Sequence, residues 1–172
     1  MLNRFTLIGV LFFSFLFMGC LNNAPTTTNS TVSDNMVKFE NSDITLNYAP
    51  VWNVTVDEYD SSYEVTFTSP NSESGVVVVV QTLTSAPNLN ALKEKQLAIA
   101  NDYAILQSKQ DVTLAGVPAF ETVFNLKAQA VTATQVSYVL VKGNKVVKLT
   151  YIYANENEKP EFESIVQSLV LK

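Results

Sequence analysis

The chain reads as an α+β protein: a central antiparallel β-sheet flanked by helices, placed after an N-terminal signal or anchor segment. Three observations predict this. Apolar and polar residues alternate with period two in many short segments bounded by Asn, Ser, Asp, Gly and Pro clusters. Two other segments carry apolar residues three and four apart. The links between the alternating segments are short, which favours antiparallel neighbours.

The first nineteen residues belong to a different class of sequence. Met1 to Arg4 form a short charged lead, Phe5 to Met18 an apolar segment without a charge, and Gly19 precedes Cys20, the only cysteine of the 172 residues. A run of about fifteen apolar residues suits a signal-peptide core and falls short of the ~20 that span a bilayer comfortably. Leu16-Phe17-Met18-Gly19-Cys20 resembles the lipobox of prokaryotic lipoproteins, with Phe17 where a small aliphatic residue is usual. Cleavage before Cys20 would leave it as the lipidated N-terminus, a lipid anchor. An uncleaved helical anchor is the alternative, and either places the rest of the chain on the extracytoplasmic face of the cell membrane.

Residues 20–36 contain Asn-Asn-Ala-Pro-Thr-Thr-Thr-Asn-Ser-Thr and scarcely an apolar side chain. Such a stretch cannot offset its ordering entropy by burial, so it is expected to be a disordered tether, with a reach of roughly 20–25 Å. Asn29-Ser30-Thr31 and Asn53-Val54-Thr55 fit the glycosylation acceptor pattern, a pattern common by chance.

Residues 37–172 suit one domain. Val37 to Glu40, Ile44 to Tyr48, Trp52 to Asp57, Tyr63 to Thr68 and the β-branched run Val76 to Val80 predict a five-stranded antiparallel meander. Ala49-Pro50 breaks the second segment from the third, and Pro70-Asn71-Ser72 turns the chain before the fifth. Leu89, Leu92, Gln96, Ile99 and Tyr103 then predict one amphipathic helix from Leu89 to about Leu106, capped by Asn88. Strands resume at Gln110 to Leu114, Phe120 to Leu126, Thr134 to Val141 and Val146 to Tyr153, the last two joined by a Gly143-Asn144 turn with both residues suited to positive φ. A helix from about Lys159, with Phe162, Ile165, Val166 and Leu169 on one face, closes the chain.

Composition excludes several functions. From Cys20 onward the chain has ten lysines, sixteen carboxylates, no arginine and no histidine. An acidic surface without clustered cations does not bind nucleic acid, and electrostatic attachment to anionic lipid is disfavoured too. Without histidine or a second cysteine there is no Ser-His-Asp triad, Cys-His pair, disulfide or thiolate metal cluster. No cofactor is implied, and the chain is not read as an enzyme.

Candidate sites are few. Asp57-Glu58-Tyr59-Asp60, with Glu64 beyond, is the densest acidic cluster. It offers oxygen ligands for Ca²⁺ but lacks the EF-hand spacing and turn glycine, so Asp57, Glu58, Asp60 and Glu64 are weak metal candidates and a charged hairpin tip is the simpler account. Glu156, Glu158, Glu161 and Glu163 surround a helix start, where negative charge suits the helix dipole. Trp52, Tyr59 and Tyr63 are the aromatic residues singled out for contact with a ligand or partner, within an aromatic set that mostly packs the core. Lys142, Lys145 and Lys148 cluster near the Gly143-Asn144 turn, where lysines solubilise the turn and guard an edge.

Ile44-x-Leu46-x-Tyr48-x-Pro50-x-Trp52, the central helix, Leu114-Ala115-Gly116-Val117-Pro118-Ala119, the long hairpin reaching Leu149-Thr150-Tyr151 and the final Ile165-Val166-Gln167-Ser168-Leu169 resemble, in this order, PsbP-like domains. The resemblance covers residues 37 to 172. It implies an α/β/α sandwich of the Mog1/PsbP type, nearer the prokaryotic PsbP-related lipoproteins than the thylakoid subunit. Plant relatives dock on photosystem II and aid its calcium and chloride retention, but no residue here carries that role across. The expectation is a membrane-anchored lipoprotein with a non-catalytic docking or support role toward an envelope protein. Capture of a small molecule or ion in a pocket beside the sheet is the alternative, and a carboxylate-based hydrolase comes third.

Overall fold

The computed structural model describes residues 36–70, 74–100, 104–126 and 133–172. The leader, Cys20, the tether and Asn29 lie outside the described residues. Ten strands, two α-helices and one 3₁₀ turn are described: β1 Val37–Glu40, β2 Ile44–Tyr48, β3 Asn53–Tyr59, β4 Ser62–Thr68, β5 Gly75–Thr82, α1 Leu89–Ala100, β6 Ala104–Leu114, β7 Val117–Leu126, β8 Thr134–Lys142, β9 Lys145–Tyr153, the turn Glu156–Glu158, α2 Lys159–Gln167 and β10 Val170–Leu171.

Seven strands form one antiparallel sheet in the order β3-β4-β5-β9-β8-β7-β6, so β3 and β6 are its edges. Alternation sorts its two faces. Val76, Val78 and Val80 of β5 align across the strands with Tyr151, Leu149 and Val147 of β9. On this face they join the main core with Val65, Phe67, Val136 and Leu140. The opposite face carries Val77, Thr150, Ser137 and Thr122, paired in one row across four strands.

Each face receives one helix. Phe162 of α2 stacks on Tyr151 at 5.3 Å between ring centroids, nearly parallel, and Ile165, Val166 and Leu169 complete that side of the core. Gln96 of α1 donates from Nε2 to Thr122 Oγ1 at 2.6 Å on the other face. Asn88 caps α1 as expected, its Oδ1 accepting from the Asn90 amide at 2.9 Å.

Several expectations change. The predicted meander divides: β3, β4 and β5 follow it, whereas β1 and β2 form a separate sheet ordered β1-β2-β10. Ile44 and Leu46 of β2 are fully buried in the main core, and Phe39 and Tyr48 meet the Phe67 ring at 5.7 and 5.2 Å. That small sheet therefore covers part of the face that α2 also covers. The architecture is mainly antiparallel sheet with two helices among the described residues, a smaller helical share than an α/β/α sandwich implies.

The central helix ends at Ala100, and Ala104 to Leu106 begin β6 instead. Ala-Ile-Leu fits either period, and pairing of Ala104, Ile105 and Leu106 with Leu126, Asn125 and Phe124 decides for the strand. In the β8–β9 turn Gly143 has φ 60, while Asn144 is not in the left-handed region. Asn144 works through hydrogen bonds: its Nδ2 donates to Leu83 O at 2.8 Å, and its own carbonyl accepts from the Leu83 amide at 2.9 Å. The left-handed pair lies at the β6–β7 turn, Ala115 with φ 52 and Gly116 with φ 76, the pattern of a two-residue hairpin.

The lysines near the β8–β9 turn are also engaged. Lys142 donates to Leu171 O at 2.8 Å, and Lys145 pairs with Asp43. Lys148 points to the α1 face between Val79 and Val139, where burial lowers its ammonium pKa. Lys142 and Lys145 fasten the hairpin to β10 and the β1–β2 loop more than they solubilise it. Among the described residues no helix is long and apolar enough to cross a membrane.

Candidate functional site

Two clefts hold the aromatic candidates, and they do not bring them together. The first, about 260 Å³, is lined by Val51, Trp52, Ser69, Pro70, Ser74, Glu158, Glu161 and Phe162. Its geometry begins with a turn: the Trp52 amide donates to Ala49 O at 3.0 Å, which leaves Val51 67% exposed and swings the Trp52 ring inward to 6%. Trp52 meets Phe162 edge-on at 5.5 Å, so α2 and the loop before β3 fix its position together. Burial raises the Glu161 carboxyl pKa, and a hydrogen bond from the Trp52 indole opposes that rise. Across the cleft, the Ser69 and Ser74 hydroxyls bond at 3.0 Å. The Ser74 carbonyl accepts from the Ser69 amide at 3.1 Å.

The second cleft, about 210 Å³, lies at the β3–β4 hairpin and is lined by Glu58, Tyr59, Asp60, Ser61, Ser62, Tyr63, Val80 and Thr82. Tyr63 donates from its hydroxyl to Asn41 Oδ1 at 3.3 Å, and burial pushes its phenol up to about 12. That phenol serves as a strut between β4 and the β1–β2 loop. Tyr59, 56% exposed at the strand end, is the accessible aromatic of the pair. Both clefts are smaller than the roughly 300 Å³ at which ligand pockets begin.

The acidic cluster does not converge. Register pairs Asp57 with Glu64 and Glu58 with Tyr63, and successive strand residues face opposite sides. Asp57 and Glu64 therefore share one face and Glu58 the other. Burial raises the Glu64 carboxyl pKa; the Thr66 hydroxyl, which donates to it at 3.3 Å, lowers it, and the Asp57 charge raises it. Among the described residues no group of three or more acidic, His or Cys side chains is placed to hold a metal ion. Asn53 is exposed at the start of β3.

Sequence reasoning missed two polar arrangements. Asn41 Oδ1 accepts from the Asp43 and Ile44 amides at 2.9 and 3.0 Å as well as from Tyr63, an Asx turn that organises the entry to β2. Under α1, Gln96, Thr122, Ser137 and Thr150 form a buried relay, the Ser137 and Thr150 hydroxyls 3.0 Å apart and Thr122 donating to Ser137 O at 3.4 Å. A hydroxyl at the inward position of three neighbouring strands was the available signal. Neither arrangement contains a nucleophile beside a base, and their chemistry is structural.

No family model matches the chain, and no curated protein matches it either. Solved structures do. The cyanobacterial PsbP of Synechocystis is 12% identical, covers 87% of this chain and is itself covered completely, with a TM-score of 0.65. LpqN of Mycobacterium tuberculosis, described as involved in cell envelope biogenesis, is 14% identical, with 85% of this chain and 99% of that one covered and a TM-score of 0.59. A protein of Bacteroides thetaiotaomicron is 15% identical with a TM-score of 0.53 over 75% of this chain, which spans only 45% of that longer one. Identities this low speak to fold and leave activity open, and the fold they share with this chain is the PsbP-like one.

Proposed function

We propose that the chain is a lipid-anchored extracytoplasmic lipoprotein whose PsbP-like domain has a non-catalytic docking or support role at the cell envelope. The observation that carries this reading is the surface beside β3. Val51 just before β3, and Val56 and Tyr59 on its two faces, stand 67%, 46% and 56% exposed, amid Asp57, Glu58 and Asp60. Apolar side chains exposed within an acidic rim suit a protein contact, and the shallow clefts suit small-molecule capture less well. The envelope role of LpqN is in keeping with this. The anchor rests on Gly19-Cys20 after the apolar leader, and tethering would raise the local concentration of a weak interface near membrane partners.

A second reading, capture of a small ligand or ion, has the Trp52 cleft as its support, with an aromatic wall and Glu158 and Glu161 among its lining residues. Membrane fractionation of native protein against Cys20→Ser tests the anchor: the variant is expected in the soluble fraction or as unprocessed precursor, and unchanged attachment and processing refute lipidation. In-cell cross-linking followed by affinity capture tests docking. A membrane protein recovered with native chain and lost with Cys20→Ser supports it, and a chain recovered alone in both counts against it.

A further inference from the structure

β3 is an edge strand of the large sheet. It runs seven residues, all but Val54 exposed, and among the described residues nothing pairs with its outer side. In an antiparallel edge strand, alternate residues turn their amide and carbonyl groups outward, a template for a further strand. Folded proteins blunt such edges with bulges, inserted lysines, proline or brevity.

The other edges of this protein carry those devices. β6 has a register break between Leu106 and Ser108, followed by Lys109. β1 has only four residues, with Lys38 at its centre, and β10 has two. β3 has neither lysine nor proline, and its register with β4 is unbroken from Asn53 to Tyr59.

Charge says what fits there. Between Lys38 and Lys93 the chain has no basic residue. Of the carboxylates in that interval, Asp43 is met by Lys145 and Glu40 by Lys38 and Lys172. The β3–β4 hairpin adds Asp57, Glu58 and Glu64 and supplies no cation of its own. We infer that β3 receives, by strand addition, an extended partner segment alternating basic and apolar residues. This inference rests on the docking reading. The partner's apolar side chains lie along Val54 and Val56 on one face of the edge, and its cations face Asp57 on the other, with Glu58 close by at the strand's end. A second copy of the chain is a poorer occupant, since pairing β3 with itself crowds like carboxylates along one edge.

The test uses the full chain in non-ionic detergent micelles and a fluorescent peptide of alternating lysine and valine. Saturable binding is expected. It should weaken by roughly tenfold or more when alternate peptide amides are N-methylated, which keeps the charge and removes main-chain donors. It should also weaken in Val56→Pro and as salt rises from about 0.05 to 0.5 M. Because proline also perturbs the hairpin itself, an Asp57→Asn/Glu58→Gln double variant, altering two exposed side chains, serves beside it and should reduce both affinity and salt dependence. No saturable binding overturns the inference, as does equal binding of the N-methylated peptide, or a dimer cross-linked through β3. If an envelope protein is still captured in cells while the peptide fails, docking stands and strand addition at β3 falls.

Discussion

Replacing Trp52 by alanine tests whether the lone tryptophan belongs to the core. Its ring is 6% exposed and meets Phe162 at 5.5 Å and 68°, and Phe162 in turn stacks on Tyr151. Truncation removes a large buried aromatic side chain and leaves a cavity open toward Val51 and Glu161, for which about 3–5 kcal/mol is the usual cost. Part of that, roughly 0.5–1.5 kcal/mol, belongs to the edge-on ring pair. With a urea slope of about 2 kcal/mol per molar for a domain of this size, the midpoint should fall by about 2 M. Far-UV circular dichroism is the assay, because the variant has no tryptophan left to follow. A midpoint shift below about 0.5 M would mean that the indole contributes little packing, and would refute its assignment to the core in favour of a contact role. Trp52→Phe separates ring packing from the indole hydrogen bond to Glu161 and should cost less than half as much.

Glu64 should give a pH signature. Burial raises its folded pKa above the ordinary 4.5, so the folded chain holds a proton that the unfolded chain has released, and stability falls as pH rises from 4.5 through the folded value. Glu64→Gln is therefore expected to stabilise the protein at neutral pH and to give no gain well below pH 4.5 in urea titrations; an equal gain at both refutes the burial argument. Gly75→Ala places a Cβ 2.8 Å from the Phe67 carbonyl oxygen, so β4 and β5 must part locally, at a cost of about 1–3 kcal/mol by thermal or urea unfolding. Unchanged stability would show that the strands yield freely. Ala115→Gly relieves a left-handed φ of 52 and should raise stability by about 0.5–1 kcal/mol after the entropy of the unfolded glycine is counted; a loss would mean that the Ala115 methyl contact with the core outweighs the strain.

Local pattern made most elements legible. Val76, Val78 and Val80 announced a buried strand, Asn88 the start of α1, and Phe162, Ile165 and Val166 the buried stripe of α2, because each signal lies within one turn or a few strand residues. Partner choice was not legible. Period two says that Ile44 and Leu46 face a core, without saying which strand pairs with β2, and the answer, Val170–Leu171, lies over a hundred residues away. The Trp52 cleft has the same character, since Glu161 and Phe162 are as far from Trp52 in sequence and are joined to it only by folding. The acidic cluster could have been resolved earlier: Asp57 and Glu58 are adjacent on a strand, and adjacency there means opposite faces.

The closure of the small sheet by β10 bears on when the protein can become folded. Val170 and Leu171 pair with Thr45 and Ile44, and the Lys172 amide reaches Asp43 O at 2.8 Å, so every strand of the large sheet is synthesised before β2 gains its second neighbour. Contacts of such sequence separation form late. A ribosome-bound chain lacking Leu171 exposes one side of β2 and the core beneath it, and its native state waits for synthesis to pass that point. A chain that postpones its own closure stays threadable, which is the condition that the proposed export would impose.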